Sequence, residues 1–168
     1  MRVYVVSTYP TVRAGLSAMV RAQEDWTVIG EMAPGAILRA SGSGPISDGT
    51  DLPDVVLADL DGSEDSDAID AWLGALRPQR GVVVLGAAHS SNPSPRQNQE
   101  ALRLRGSMAR VVGDQGLGFG ALQRDATGEE IVAAIAAVAG GLIKRSCTWP
   151  LRVNTSDSPV GRRRDKKA

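Results

Sequence analysis

The sequence has little of what marks secreted, membrane-spanning or strongly charged proteins. It contains one cysteine, Cys147, and its 19 Lys and Arg residues balance 19 Asp and Glu residues. A single cysteine excludes an internal disulfide framework and fits a reducing compartment. The charge balance points to neither a nucleic-acid partner nor a membrane surface. No apolar run approaches the roughly 18 residues needed to cross a bilayer. We therefore expect a soluble cytoplasmic protein.

The length fits a single domain with an appended tail. The chain has 168 residues, of which 42% are hydrophobic, enough for one domain of about 100–150 residues. We expect this domain over residues 1–143. The remaining residues, 144–168, are polar and basic and predict a flexible linker or tail. Trp26 and Trp72 fall on apolar faces and are predicted to lie in the core.

Short apolar runs alternate with stretches of helical periodicity. Buried strands are predicted at 3–6, 26–29 (ending at Gly30), 55–58, 82–85 and near 119–122. Helices are predicted at 12–20, 36–40, 69–76, 101 to about 110, and after residue 127. A Thr127–Glu130 capping box indicates the start of the last one. Alternating strands and helices predict parallel strands with right-handed crossovers. The expected fold is a doubly wound, flavodoxin-like α/β sheet of five strands, in order 2-1-3-4-5, with helices on both faces.

Asp59 is the most prominent candidate for a functional residue. It follows the apolar run 55–58 and so lies at the carboxyl end of the third strand, where open α/β sheets place their ligands. In the predicted order the first strand neighbours the third. Ser7 and Thr8 are therefore expected beside Asp59 at the same rim.

Four segments together resemble the receiver domain of two-component response regulators, most closely the subfamily with a helix-turn-helix output domain. They are RVYVVSTYPTVRAGL, GEMAPG, LPDVVLADLDG and ALQRDATGEEIVAAIAAVAGGL, and the resemblance spans about residues 2–143. It implies that Asp59 matches the aspartate that accepts a phosphoryl group from a histidine kinase. In that family a divalent metal is held by two acidic side chains after the first strand. A backbone carbonyl, here that of Asp61, completes the family's metal site.

The sequence departs from the receiver pattern at the other site positions. The resemblance places Ser7 and Thr8 where the family has its acidic pair, and hydroxyls are poor ligands for Mg²⁺. Gly86 stands where the family has a Ser or Thr after the fourth strand, and Arg124 where it has a lysine after the fifth. An arginine keeps the positive charge but presents a planar fork. We interpret the chain as an atypical receiver with impaired metal-dependent phosphorylation, which is not an enzyme and needs no cofactor.

Two alternatives remain open. In one, the receiver is phosphorylated on Asp59, and Mg²⁺ is held weakly by Asp59 and Asp61. In the other, the vacated acidic rim binds a small molecule and the domain senses a ligand. The resemblance implies protein partners: a cognate kinase or output domain, or a second copy bound through the fourth helix, fifth strand and fifth helix, with Leu104 and Met108. DNA would be reached through an output domain outside this chain, in transcription regulation.

The remaining motifs do not support other chemistry. The acidic run DLDGSEDSD lacks the spacing of an EF-hand loop, and a solvated loop explains it better. The glycines of GLGFG precede a strand rather than open a helix, which argues against a dinucleotide site. His89, the one histidine, has no cysteine or second histidine nearby. Trp149 is predicted to anchor the tail or a partner, and a linker role explains GRRRDKK better than direct phosphate contact.

Overall fold

The computed structural model describes residues 1–39, 52–60, 66–86, 99, 106, 110 and 112–141. Asp61, His89, Leu104, Met108, Cys147, Trp149 and the predicted tail lie outside the described residues, and the domain boundary stays a prediction. The elements among the described residues are β1 (Arg2–Ser7), α1 (Pro10–Arg21), β2 (Thr27–Met32), α2 (Pro34–Arg39), β3 (Val55–Asp59), α3 (Ser66–Leu76), β4 (Gly81–Gly86), β5 (Gly118–Gln123) and α4 (Gly128–Ala139). The helix labelled α4 is the one predicted from the sequence as the fifth helix.

The strands form one parallel sheet in the order β2-β1-β3-β4-β5. This confirms the predicted fold class and strand order. The register brings Ser7, the last residue of β1, opposite Asp59, the last residue of β3. Gly86, at the end of β4, lies opposite Gln123 of β5. The strands therefore finish together, and their carboxyl ends form one rim.

Alternate residues of the central strands bury two separate hydrophobic clusters, one on each face of the sheet. On one face, Tyr4, Val56 and Val82 pack with Ile37 of α2 and Trp72 of α3. On the opposite face, α1 and α4 cover the strands through Leu16, Val20, Ile131, Ile135 and Val138. Full burial of a Val, Leu or Ile side chain contributes about 1.5–3 kcal/mol. Trp72 is fully buried as predicted, whereas Trp26 is half-buried at the edge of the second cluster.

The predicted end of β2 at Gly30 was wrong, because the strand continues to Met32. Gly30 pairs with Tyr4 of β1, and a Cβ at Gly30 would lie 2.9 Å from Cδ2 of the Tyr4 ring. The glycine therefore makes room for an aromatic ring inside the sheet instead of ending the strand.

Several helix bounds also differ from the prediction. The α2 helix begins at Pro34 rather than at residue 36, since proline is well tolerated in a first helical turn. The capping box at Thr127 is present, with the Thr127 hydroxyl accepting from the Glu130 N–H. Residues 99, 106, 110 and 112–114 are helical, so helical structure extends beyond the predicted end near Arg110. Each helix in the described ranges is too short or too polar to cross a lipid bilayer.

Candidate functional site

The candidate site lies at the rim where β1, β3 and β4 end. Asp59 is the last residue of β3, between Ser7 of β1 and Leu85 of β4. Its side chain has an exposed fraction of 0%. The apolar run before Asp59 is buried on both faces of the sheet. The Asp59 carboxylate, at the end of the same strand, is therefore also shielded from water. A buried carboxylate is costly unless hydrogen-bond donors satisfy its oxygens.

Both oxygens of the Asp59 carboxylate accept a hydrogen bond. The Arg124 Nε donates to Oδ1 at 2.7 Å, and the Ser7 Oγ donates to Oδ2 at 2.8 Å. The Ser7 Oγ in turn accepts from the backbone N–H of Tyr9 at 3.1 Å. The hydroxyl is therefore held from both sides, which fixes its proton toward the carboxylate. Hydrogen bonds to an ionised group are roughly twice as strong as neutral ones.

Arg124 reaches Asp59 from the turn between β5 and α4. It directly follows Gln123, the last residue of β5, and its side chain has an exposed fraction of 23%. The guanidinium carbon lies over the Tyr9 ring, 5.8 Å from the ring centroid, which is a cation–π distance. Arg124 thus links the carboxylate to an aromatic ring on the loop before α1. Together these contacts connect the ends of β1, β3 and β5.

The other predicted site positions surround this cluster. Thr8 is exposed, and its carbonyl accepts from Arg13 Nη1 at 3.4 Å. The same nitrogen donates to the carbonyl of Ser7 at 2.6 Å. Gly86 ends β4 and contributes no side chain. The structure therefore brings Asp59, Ser7 and Arg124 into contact and leaves Thr8 and Gly86 at the margin.

These residues do not fit a divalent metal. Mg²⁺ prefers carboxylate oxygen and water in an octahedral arrangement, but both Asp59 oxygens already accept protein hydrogen bonds. Ser7 offers a hydroxyl whose proton points to the carboxylate. In the described part of the chain, no three His, Cys, Asp or Glu side chains lie close enough together to hold a metal ion. The Arg124 guanidinium instead supplies the positive charge beside Asp59.

Sequence reasoning missed two residues of the site, Tyr9 and Arg13. An aromatic residue two positions after Ser7 and directly before Pro10 was the available signal for Tyr9. Its exposed fraction of 47% is high for a large apolar side chain. Arg13 lies one turn into α1, where it can reach back to the carbonyls before the helix.

Solved structures similar to this chain are response regulators and their receiver domains. RcsB from Salmonella typhimurium, in a study of DNA interaction, matches with a TM-score of 0.53 at 16% identity, over 84% of this chain and 60% of that one. ChrA, of a heme-sensing two-component system, matches with a TM-score of 0.51 at 21% identity, over 87% and 60%. The isolated receiver domain of RcsB from Salmonella enterica serovar Typhimurium, in the presence of the phosphomimetic BeF3-, matches with a TM-score of 0.51 at 18% identity, over 84% and 89%.

These matches show that the chain has the fold of response-regulator receiver domains. The chain spans about 60% of the length of the RcsB and ChrA chains named first. No protein-family model and no curated protein matches the sequence. The likeness therefore concerns the fold.

Proposed function

We propose that this chain is an atypical receiver domain that acts in signal transduction and transcription regulation through protein contacts, with impaired metal-dependent phosphorylation. The observation that supports this best is the double engagement of Asp59 by Arg124 and Ser7. An aspartate that attacks phosphorus must offer an oxygen lone pair. Each Asp59 oxygen keeps a second lone pair, but the hydrogen bonds from Arg124 and Ser7 lower its nucleophilicity.

The charges at the rim support the same proposal. The Asp59 carboxylate and the Arg124 guanidinium cancel one another, so this pair, in the described part of the rim, has no net negative charge to attract a divalent cation. A phosphoryl group on Asp59 would add negative charge, and Ser7 and Thr8 have no carboxylates to hold a neutralising metal. Gly86 has no hydroxyl with which to bind a phosphoryl oxygen. The domain is accordingly proposed to work without catalysing a reaction and without a cofactor.

Incubation with acetyl phosphate and Mg²⁺, followed by intact-mass measurement, tests this proposal. We expect no phosphoryl adduct on the wild-type chain. The variant Ser7→Asp/Thr8→Asp restores an acidic pair, and we expect it to gain an adduct and a Mg²⁺-dependent rise in melting temperature. Asp59→Asn in the same background is the matched control and should lose the adduct. An Asp59-dependent adduct on the wild-type chain would instead favour the alternative, a receiver phosphorylated by a histidine kinase.

The proposed protein contacts use the surface formed by the predicted fourth helix, β5 and α4. β5 is an edge strand of the sheet. Ala137 is half-buried on α4 and, by helical spacing, lies on the flank opposite Gly128 and Val132, which face α1. Sedimentation velocity across a concentration series should show a dimer that Ala137→Arg shifts toward monomer. Ala18→Arg, on the exposed face of α1, is the matched control and should leave the dimer unchanged. A wild-type chain that remains monomeric throughout would contradict the dimer.

The proposed role in transcription requires an output domain outside this chain. The RcsB and ChrA chains exceed this one in length, and the RcsB structure was determined in a study of DNA interaction. We expect the chain by itself to show no retention on duplex DNA at physiological salt. Salt-dependent retention that disappears when residues 160–168 are deleted would contradict this, because it would assign phosphate binding to the basic tail.

A further inference from the structure

A groove runs between α1 and α4 and ends at the Asp59–Arg124 ion pair. Its volume is about 340 Å³, at the lower end of the range for ligand sites, about 300–1,000 Å³. This α1–α4 groove is formed by Gly15, Leu16, Met19, Arg124, Ala126 and Ile131. Its walls are therefore mainly apolar, and its charged groups are confined to one end. This arrangement suits an elongated molecule with an apolar body and a single polar head.

Gly15 leaves part of this space open. It lies inside α1, where glycine is less favourable than alanine because it costs more backbone entropy. Packing does not require the glycine, since a Cβ at Gly15 would meet no heavy atom within 4 Å. At Gly30 and Gly81, by contrast, a Cβ would overlap neighbouring atoms. A larger side chain at position 15 would enter the groove.

The charged end of the groove favours an anionic head group. Both oxygens of Asp59 accept hydrogen bonds and its side chain is fully buried, so a ligand cannot use this carboxylate without breaking an existing contact. Arg124 is partly exposed and lines the groove. Its Nε donates to Asp59 and its Nη2 is buried, so a ligand would meet the guanidinium as a charge and not through its full fork. Because Asp59 is fully buried and Arg124 is the partly exposed member of the pair, a head group in the groove meets the positive end of the ion pair first, which favours a carboxylate over an ammonium.

We propose that the α1–α4 groove binds a small amphipathic carboxylate, with its apolar chain along Leu16, Met19 and Ile131 and its head group at Arg124. The volume equals about eleven water molecules at about 30 Å³ each, which suits a monocarboxylate of about ten to twelve non-hydrogen atoms. This proposal goes beyond the proposed function, since it does not depend on whether Asp59 accepts a phosphoryl group. A bound carboxylate would lie beside the Asp59–Arg124 pair, so the groove would be coupled to the rim through Arg124.

Three ligands with the same chain length and different head groups test the proposal: decanoate, decan-1-ol and decylamine. Each is titrated into the full chain while the melting temperature is recorded. Decanoate should give a saturable rise of about 4 °C at ten times its Kd, by mass action on a domain of this size. Decan-1-ol should bind about tenfold more weakly, because it lacks the charge-assisted bond to Arg124. Decylamine should give no rise. An absent response to decanoate, or equal responses to all three ligands, would overturn the proposal.

Two variants locate the site. Gly15→Leu fills the groove and should abolish the response to decanoate. Gly74→Leu is the matched control, because Gly74 lies inside α3, on the opposite face of the sheet, and also has no heavy atom within 4 Å of a Cβ. Ala126→Leu serves as a second groove-filling variant if Gly15→Leu does not fold. A response that survives in a folded groove-filling variant, or that Gly74→Leu also removes, would place binding elsewhere and overturn the assignment.

A third variant tests the head-group contact. In Arg124→Gln the preference for decanoate over decan-1-ol should disappear, while decan-1-ol itself still binds. The comparison of decanoate, decan-1-ol and decylamine on the wild-type chain tests the preference for an anionic head group even if Arg124→Gln is unstable. A preference for decanoate that persists in Arg124→Gln would overturn the role of Arg124.

Discussion

Removal of the Arg124 guanidinium should destabilise the protein measurably. Arg124→Met keeps an unbranched apolar stem but takes away the charge that lies 2.7 Å from a carboxylate with an exposed fraction of 0%. Removing one partner of a buried ion pair costs about 3–5 kcal/mol. Because the Arg124 side chain is 23% exposed, water can partly replace the guanidinium. We therefore expect a loss of about 2–3 kcal/mol in the free energy of unfolding, which corresponds to about 5–10 °C in melting temperature.

Urea unfolding followed by circular dichroism, at fixed pH and ionic strength, measures this loss. If the slope of the unfolding free energy against urea concentration is the same for the wild-type chain and Arg124→Met, the two proteins expose the same amount of surface on unfolding. Arg80→Met is the matched control. Arg80 pairs with Asp54 at 3.6 Å and donates to the Ala139 carbonyl at 2.9 Å, but its side chain is 58% exposed, so its removal should cost about 1 kcal/mol.

A double-mutant cycle separates the ion pair from the rest of the site. Asp59→Asn removes the negative charge but keeps the shape, and the double variant with Arg124→Met removes both charges. We expect the double variant to be more stable than the sum of the single changes predicts, by about 1–2 kcal/mol. If Arg124→Met costs no more than Arg80→Met, or if the two changes at the rim add within about 0.5 kcal/mol, the reasoning is refuted.

Four further substitutions test the packing of the fold. Thr127→Ala should cost about 1 kcal/mol in urea unfolding, because its hydroxyl accepts the Glu130 N–H; no loss would contradict the role of the cap. Gly30→Ala should destabilise by about 1–3 kcal/mol, because its Cβ would press on the buried Tyr4 ring, whereas Gly74→Ala in α3 should stabilise by about 0.5–1 kcal/mol; the reverse order would contradict this packing. Burial raises the pKa of Tyr4 above 10.0. The folded chain keeps a proton that the unfolded chain loses, so this contribution to stability is complete below about pH 10 and is lost as the pH rises through the folded pKa. Tyr4→Phe should therefore reduce the alkaline loss of melting temperature, and an unchanged loss would contradict it.

The fold could be predicted because its strands carry their own signal. Runs such as Val55 to Ala58 are apolar on both faces, and this is typical of strands covered by helices on either side. The ends of strands were less predictable where a glycine follows an apolar run. Gly30 resembles the end of a strand in the sequence, yet it lies inside β2 because Tyr4 of β1 occupies the space of its side chain. That contact joins residues far apart in the chain and has no local signature.

The candidate site was partly accessible from the sequence. The strand order alone predicts that Ser7 and Asp59 are neighbours, and the register has them opposite one another. The position of Arg124 relative to Asp59 was inferred through the resemblance to receiver domains. The Tyr9 contact depends on the loop after β1, whose course no periodicity predicts. The α1–α4 groove was also not predictable, because it arises from the small size of Gly15 and Ala126 on separate elements.

Neutralisation of the Asp59 carboxylate explains the contacts at the rim. A buried carboxylate requires a compensating cation or it is driven toward the neutral form. In this chain Arg124 lies within hydrogen-bond distance of Asp59, and Ser7 adds a neutral donor on the other oxygen. A cation bound at Oδ1 would compete with a guanidinium that belongs to the chain and loses no translational entropy on binding. Arg124 also lies over the Tyr9 ring, and this contact holds the turn before α4 in place. An arginine at this position therefore neutralises the carboxylate and, through one side chain, ties β3 to the elements that flank the α1–α4 groove.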